Sequence, residues 1–148
     1  MKLINFFGKI MPLVFFIIFM TSCGNDDVVL DDYLTGNWYS YKAEVMASGQ
    51  SEKVNVSKTG QYSQFYYEVT FKDNNKVEFS YYQVDENSIS KWTTETLSYS
   101  KNGDVVTIYD GTESIDFMFN AKDKSLYMRL ADNTGKYGYI TVFIYFRK

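Results

Sequence analysis

The stretch YEVTFKDNNKVEFSY, residues 67–81, decides the fold of this chain. Apolar and polar residues alternate on both sides of Asp73, Asn74 and Asn75, which is the pattern of two half-buried β-strands joined by a turn. The register is the one that sets apolar residues opposite each other. A three-residue loop pairs Phe71 with Val77, Val69 with Phe79 and Tyr67 with Tyr81. The stretch therefore predicts an antiparallel hairpin.

The same pattern predicts two more hairpins towards the C-terminus. Asn102 and Gly103 are a strong signal for a two-residue hairpin turn. This turn sets Tyr99 against Val106 and Leu97 against Ile108. A turn at Lys122 and Asp123 sets Phe119 against Leu126, Phe117 against Met128 and Ile115 against Leu130. Turn residues at 110–111 and 133–135 join the neighbouring strands.

Eight strands follow from this pattern, near residues 37–46, 65–72, 76–83, 91–101, 104–110, 113–121, 124–131 and 137–147. Antiparallel strands in up-and-down order can close into a barrel, and closure removes the exposed edges of the sheet. The last strand is apolar on both faces, which suits closure against the first strand. We predict an all-β fold over residues 33–148, an eight-stranded antiparallel up-and-down barrel, with an open β-sandwich as the alternative.

The first residues have the features of a secretion signal. Lys2 and Lys9 precede an apolar run over 10–20, and small residues lead to Cys23. A transmembrane anchor is the alternative, but the run is shorter than the ~20 residues that a membrane-spanning helix needs. We predict a signal peptide over residues 1–22.

Met20, Thr21, Ser22 and Cys23 resemble the lipobox of bacterial lipoproteins, in which the cysteine becomes the first mature residue. The resemblance implies a diacylglyceryl group and an N-acyl chain, such as palmitate, on Cys23. Residues 23–32 then form a lipidated acidic tether. Acidic residues directly after the cysteine resemble a signal for export to the outer face of the outer membrane. Cell-surface exposure is therefore expected, with attachment facing the periplasm as the alternative.

Leu34-Thr35-Gly36-Asn37-Trp38 resembles the L-x-G-x-W entry of lipocalins and of lipocalin-like domains in small bacterial lipoproteins. The lipobox, acidic tether, G-x-W motif and eight strands follow one another in the order found there. The resemblance implies that Trp38 packs at the closed end of the barrel against Arg147. It also implies that the polar connection over 48–64 is a lid above the open end, whereas a solvated, disordered loop is the plain alternative.

Composition excludes several kinds of chemistry. The chain has no histidine and one cysteine, which lipid would consume, so the usual general base, thiol nucleophile and commonest metal ligand are lacking. We expect no enzyme activity, no metal site and no cofactor. Without residues 1–22 the chain keeps 13 basic and 18 acidic residues, a net charge of −5. Such a balance argues against nucleic acid and anionic lipid headgroups as partners.

Two functions remain open. In the first, the barrel binds a small apolar ligand, although a packed core explains the same inward residues. The candidate ligand-binding residues are Trp38, Phe71, Phe79, Tyr99, Phe117, Phe119 and Met128. In the second, a filled barrel is a cell-surface interaction protein that binds a protein or a glycan. Outward aromatics, among them Phe143 and Tyr145, then form the contact surface, and Trp92 is also expected to be exposed.

Overall fold

The computed structural model describes residues 33–84, 89–132 and 139–148. Within them lie nine strands and one turn of 3₁₀-helix, Ser63–Phe65. The strands are β1 (Gly36–Ala47), β2 (Gln50–Asn55), β3 (Tyr67–Phe71), β4 (Lys76–Val84), β5 (Ile89–Asn102), β6 (Val105–Tyr109), β7 (Ser114–Asn120), β8 (Ser125–Asp132) and β9 (Ile140–Arg147). The predicted signal peptide, the tether with Cys23 and the turn at 133–135 lie outside the described residues. None of the described helical residues forms a span that is long and apolar enough to cross a membrane.

Eight of these strands form a closed barrel. Strand β1 and strands β3 to β9 are antiparallel neighbours in chain order, and β9 pairs back onto β1 from Tyr39↔Arg147 to Ala47↔Ile140. The predicted up-and-down barrel is confirmed, and its closure rules out the open sandwich. Every described strand and the whole described core fall within 33–148, so this segment contains the complete barrel.

The additional strand, β2, corrects the expectation for residues 48–64. Strand β1 pairs with β3 only over Gly36–Tyr39, and over Lys42–Ala47 the same edge pairs with β2. Residues 50–55 are thus part of the wall, and the disordered-loop prediction is wrong. Only Val54 of this polar strand is buried. An edge strand with so little apolar pattern gives no alternation signal.

A β-bulge explains how β1 changes partners. The β1–β9 register shifts between Ser40 and Lys42, and the carbonyl of the intervening Tyr41 accepts a hydrogen bond from the Val56 amide at 3.0 Å. The buried Ser40 hydroxyl accepts from the Tyr67 amide at 2.8 Å and donates to the Phe65 carbonyl at 3.2 Å. A bulge bends its strand locally. The hydroxyl therefore replaces the ladder where β1 and β3 separate.

Two predicted registers are confirmed and one is wrong. The pairs across β3–β4 and the pairs Phe117↔Met128 and Phe119↔Leu126 are as predicted. In β5–β6, however, Tyr99 pairs with Ile108 and the turn falls at Gly103 and Asp104. Moving the turn by one residue leaves every side chain on its own face, so apolar matching does not separate the two registers. Gly103, at φ 59°, takes the first turn position, where type II′ turns favour glycine.

Candidate functional site

The two ends of the barrel differ in construction. We call the end with Trp38 and the turns 72–75, 103–104 and 121–124 the closed end. The opposite end, with the turn 110–113 between β6 and β7, is the open end. Consecutive hairpins of an up-and-down barrel turn at alternate ends, so this topology assigns each turn to one end.

The closed end is shut by aromatic packing. Trp38 is 1% exposed, and its indole N–H donates to the Leu34 carbonyl at 2.8 Å. The rings of Tyr33 and Phe119 meet it edge-on, with centroids 5.8 and 6.2 Å away. Edge-to-face pairs of this kind add about 0.5–1.5 kcal/mol each beyond the burial of their area.

The basic partner of Trp38 is Lys148, and the assignment of Arg147 to this position is corrected. The Lys148 ammonium lies 5.4 Å from the Trp38 ring centre and donates to the Thr35 carbonyl at 2.7 Å. Arg147 instead lies over Tyr41, at 5.2 Å. Arg147 has the outward parity of Tyr145, so its side chain stays on the outer face. The next residue, just beyond the last strand, is free to turn beneath the barrel.

The side chains proposed as a ligand lining are packed on one another. Trp38, Phe71, Phe79, Tyr99, Phe117, Phe119 and Met128 are each at most 2% exposed. The rings of Phe71 and Tyr99 meet at 5.1 Å, and those of Phe79 and Phe117 at 6.3 Å. The contacts that the structure gives these side chains are those of a filled interior. Ligand binding by them stays a prediction.

Polar side chains point inward at the open end. The β5–β6 ladder ends at Ser98↔Tyr109, so the part of β5 that precedes Ser98 pairs only with β4 in the described sheet. Thr93 and Glu95 lie on this part and share the inward parity of Leu97. The Tyr81 hydroxyl, from β4, donates to Oε1 of Glu95 at 3.1 Å.

Two polar atoms of this group have no hydrogen-bond partner within the described part of the chain. Oε2 of Glu95 and the Thr93 hydroxyl are buried, and neither has a hydrogen-bond partner among the residues that the structure describes. A buried polar group left unpaired costs about 1–3 kcal/mol, and more when it is charged. Folded proteins satisfy nearly all of their buried polar atoms, so these two mark a candidate site. We call Tyr81, Thr93 and Glu95 the rim cluster.

Burial raises the pKa of several groups near the rim cluster. Burial, followed by the Glu95 carboxylate, raises the pKa of the Tyr81 phenol. Burial also raises the pKa of Tyr67, with Tyr81 as a second cause. At the β6–β7 turn, burial raises the pKa of Glu113, and Asp110 and Glu95 add to this increase. Asp110 and Glu95 thus lie close enough to Glu113 to disfavour its charged form.

The donor set does not suit a metal ion. Among the described residues, no three or more Asp, Glu, His or Cys side chains are grouped so that they could hold one. A hard cation such as calcium takes six to eight oxygen ligands, several of them carboxylates. The rim cluster offers one carboxylate and two hydroxyls, which can accept and donate hydrogen bonds.

Sequence reasoning missed the rim cluster, although a signal was present. Glu95 is a charged residue at the inward parity of Leu97 and Tyr99, directly next to this apolar pair on β5. Hydrophobic matching of hairpins scored the apolar positions and passed over this exception. A buried charge is costly unless it is paired, so such an exception marks a candidate site.

Two aromatic groups lie on the outer wall. Trp92 is half-buried rather than exposed, because the Lys58 ammonium lies 3.9 Å above its ring and Tyr82 packs at 4.9 Å. Lys58 also pairs with Glu68 at 3.3 Å. The described contacts of Lys58 are therefore with the wall and differ from those of a lid over the open end.

The second outer group lies on β8 and β9. Tyr127 packs against Tyr145 at 5.9 Å and against Phe143 at 6.3 Å, and the Lys42 ammonium lies 4.3 Å from the Tyr145 ring. All three rings are half-buried. We call Tyr127, Phe143 and Tyr145 the outer aromatic face.

Charge is unevenly distributed between the two ends. The closed end has more basic than acidic residues. The acidic residues of its turns are Asp73, Asp104 and Asp123. The basic residues there are Lys72, Lys76, Lys101, Lys122, Lys124, Arg147 and Lys148. The described ionisable residues of the open-end turn, Asp110 and Glu113, are acidic. The net charge of the chain conceals this polarity.

No family model matches the chain, and no curated protein matches it. The structure defines the class of protein as a closed eight-stranded up-and-down β-barrel. The resemblance to lipocalins stays a prediction from the G-x-W motif and the strand order.

Proposed function

We propose that this protein is a lipid-anchored binding barrel that holds a small ligand at its open end. The observation behind this proposal is the rim cluster, where buried polar atoms of Thr93 and Glu95 have no partner among the described residues. The opposite end is closed by Trp38 and its ring contacts. A ligand that enters the barrel therefore has one end available to it.

The inner wall at the open end adds apolar surface to the polar cluster. Val45, Ile115, Leu130 and Ile140 pack against the core but are only partly buried. Ligand sites are typically apolar with a few convergent polar groups that fix orientation. The open end has both features, and the ligand we propose has an apolar body with a polar head.

The anchor gives this barrel an orientation. Tyr33 lies at the closed end, against Trp38 and 4.4 Å from the Lys148 ammonium. A tether over residues 23–32 thus joins the barrel at its closed end and spans at most about 35 Å when fully extended. Lipid on Cys23 would hold the closed end, with its basic residues, towards the bilayer and point the open end away.

Native mass spectrometry of the 33–148 segment purified from cells tests the binding function. We expect a co-purifying small molecule that organic solvent releases. Replacement of both Thr93 and Glu95 by alanine should lower its occupancy. Replacement of the exposed Thr96 and Ser100, on the outer face of the same strand, is the matched control. A ligand-free protein, together with no binding of small-molecule probes, would contradict the proposal.

Anchoring and orientation have separate tests. Mass spectrometry of the processed chain should find a first residue Cys23 bearing diacylglyceryl and N-acyl groups, and surface proteolysis of intact cells should establish the exposed location. The net charge of the chain argues against anionic lipid headgroups as partners, but the closed end is locally basic. In vitro, the segment 33–148 should therefore associate with anionic vesicles more strongly than a variant with Lys122 and Lys124 changed to Glu. Lys53→Glu and Lys91→Glu, away from the closed end, should have little effect. Equal loss in both pairs would contradict the orientation.

The outer aromatic face supports a second candidate function, recognition of a protein or a glycan. Its observation is the contact of three rings, Tyr127, Phe143 and Tyr145, on one surface. Aromatic residues are enriched at the centres of interfaces. Replacing Phe143 and Tyr145 with Ser should then abolish association with the partner while the barrel still unfolds cooperatively. Unchanged association would end this version.

A further inference from the structure

The rim cluster contains only acceptors and hydroxyls on its inward side, and its one ionisable carboxylate is Glu95. Oε1 of that carboxylate already accepts a hydrogen bond from the Tyr81 hydroxyl, whereas Oε2 is buried and unpaired among the described residues. None of the ion pairs between described residues includes Glu95. The missing partner is therefore a hydrogen-bond donor, and a positively charged donor would also offset the carboxylate.

The chain does not supply that cation from nearby described positions. Lys91 shares the inward parity of Glu95, but it precedes Glu95 by four residues on β5 and is exposed. Across the gap beyond the last β5–β6 pair, the turn contributes the acidic residues Asp110 and Glu113, and Glu113 interacts electrostatically with both Asp110 and Glu95. The surroundings thus add to the negative potential at Glu95.

This arrangement discriminates among ligand heads. A carboxylate head, as in a fatty acid, would face Glu95 and Glu113 as like charges. A neutral hydroxyl would satisfy one acceptor without offsetting the charge. An ammonium group has three donors, enough for Oε2 of Glu95 and the Thr93 hydroxyl together. Negative potential at a cleft also raises the local concentration of cations.

We propose that the open end binds the cationic group of a small organic amine, with Glu95 as its counter-ion and the Thr93 hydroxyl beside it. The inference rests on the proposed function, because it specifies the ligand of the same site. Phe79, which pairs with Glu95 across β4–β5, and Tyr81 have stacked rings 5.6 Å apart. Both rings are buried in the core, so the apolar surface for the body of the amine is that of the partly buried Ile115, Leu130 and Ile140.

The test compares three probes that share a phenyl ring and differ in the head group: 2-phenylethylammonium, 2-phenylethanol and 3-phenylpropanoate. Binding to the 33–148 segment is measured by calorimetry at fixed ionic strength. We expect the ammonium probe to bind about ten-fold to a hundred-fold more tightly than the alcohol, and the carboxylate probe to bind most weakly. In Glu95→Gln the ammonium probe should bind no more tightly than the alcohol.

Two further variants keep the assignment testable. Glu95→Asp retains the charge but withdraws it by one methylene, so the preference for the ammonium should fall without disappearing. Glu113→Gln, at the turn, should retain most of the preference and is the control for a diffuse electrostatic effect. Circular dichroism and cooperative unfolding establish that each variant is folded; Glu95→Asp decides the question if Glu95→Gln does not fold.

Each outcome has a defined meaning. A preference for ammonium that is lost with Glu95 supports the inference. Equal binding of ammonium and alcohol overturns it and leaves the proposed function standing, because a ligand is still held. A preference that survives Glu95→Gln overturns the role of Glu95. No binding of any probe overturns the amine inference, and native mass spectra without a ligand would then remove the proposed function as well.

Discussion

The closed and open ends of this barrel differ in how their buried polar groups are paired. At the closed end, the indole N–H of Trp38 has a carbonyl partner at 2.8 Å and its ring is enclosed by other rings. At the open end, a carboxylate oxygen of Glu95 is buried without a partner among the described residues. From this difference we expect substitutions at the closed end to cost more stability than substitutions at the open end.

Truncation of Trp38 should have the largest effect. Trp38→Ala removes a fully buried side chain and opens a cavity, so the free energy of unfolding should fall by about 3–5 kcal/mol. Denaturation in guanidinium chloride measures the loss. Trp92→Ala, on the outer wall and half-buried, is the matched control and should lose less than about 2 kcal/mol. Equal losses would show that the closed end is not the stable region we describe.

Removal of the Ser40 hydroxyl, which lies where β1 and β3 separate, should lower the free energy of unfolding by an intermediate amount. Ser40→Ala leaves the Tyr67 amide and the Phe65 carbonyl without their partner, at a cost of about 1–3 kcal/mol. Hydrogen exchange at the Tyr67 amide should accelerate. Ser51→Ala, at an exposed hydroxyl bonded to Glu44 at 2.6 Å, should change stability by less than about 0.5 kcal/mol. An unaffected Tyr67 amide would contradict this role.

Alkaline pH should lower the stability of the folded barrel through Tyr66 and Tyr67. Burial raises the pKa of Tyr67, and burial followed by Glu68 raises the pKa of Tyr66 to about 12. An unfolded chain ionises its phenols near pH 10, so above that pH the folded state holds more protons. Stability is then fully present below about pH 10 and is lost as pH rises through the folded pKa values.

Tyr67→Phe should make this loss shallower, by up to about 1.4 kcal/mol per pH unit above pH 10. Urea midpoints between about pH 9 and 11 measure the slope. Tyr139→Phe, at a ring that is 78% exposed, is the control and should retain the slope of the unmodified protein. A slope that Tyr67→Phe leaves unaltered would show that other groups cause the alkaline loss.

The smallest effect is expected at Glu95, which sharpens the contrast between the ends. Glu95→Gln keeps an acceptor for the Tyr81 hydroxyl but removes a charge that is costly to bury, so unfolding free energy should rise slightly or stay within about 1 kcal/mol. Equilibrium denaturation without added ligand measures it. A loss above about 2 kcal/mol would mean that the carboxylate stabilises the fold.

Much of the wall was predictable from local pattern. Alternation around 67–81 gave the β3–β4 register, and the turn near Lys122 gave most of β7–β8. The predicted β5–β6 register was wrong because a shift of two residues in the pairing leaves every side chain on the same face of the sheet. Strand β2 failed because an edge strand with one buried valine has no alternating pattern. The sequence showed an inward charge at Glu95, but it could not show that the described residues leave Oε2 of Glu95 without a hydrogen-bond partner.

The sequence alone was enough to establish that the chain forms antiparallel strands and which of their residues face inward. These properties follow from a period of two that each strand contains within itself. Only the tertiary structure decided that Lys148 rather than Arg147 meets Trp38, and that β5 extends beyond β6 and leaves Glu95 past the last pair. Contacts between ends depend on strand lengths, the bulge at Tyr41 and the closure of the barrel, and no local pattern encodes these.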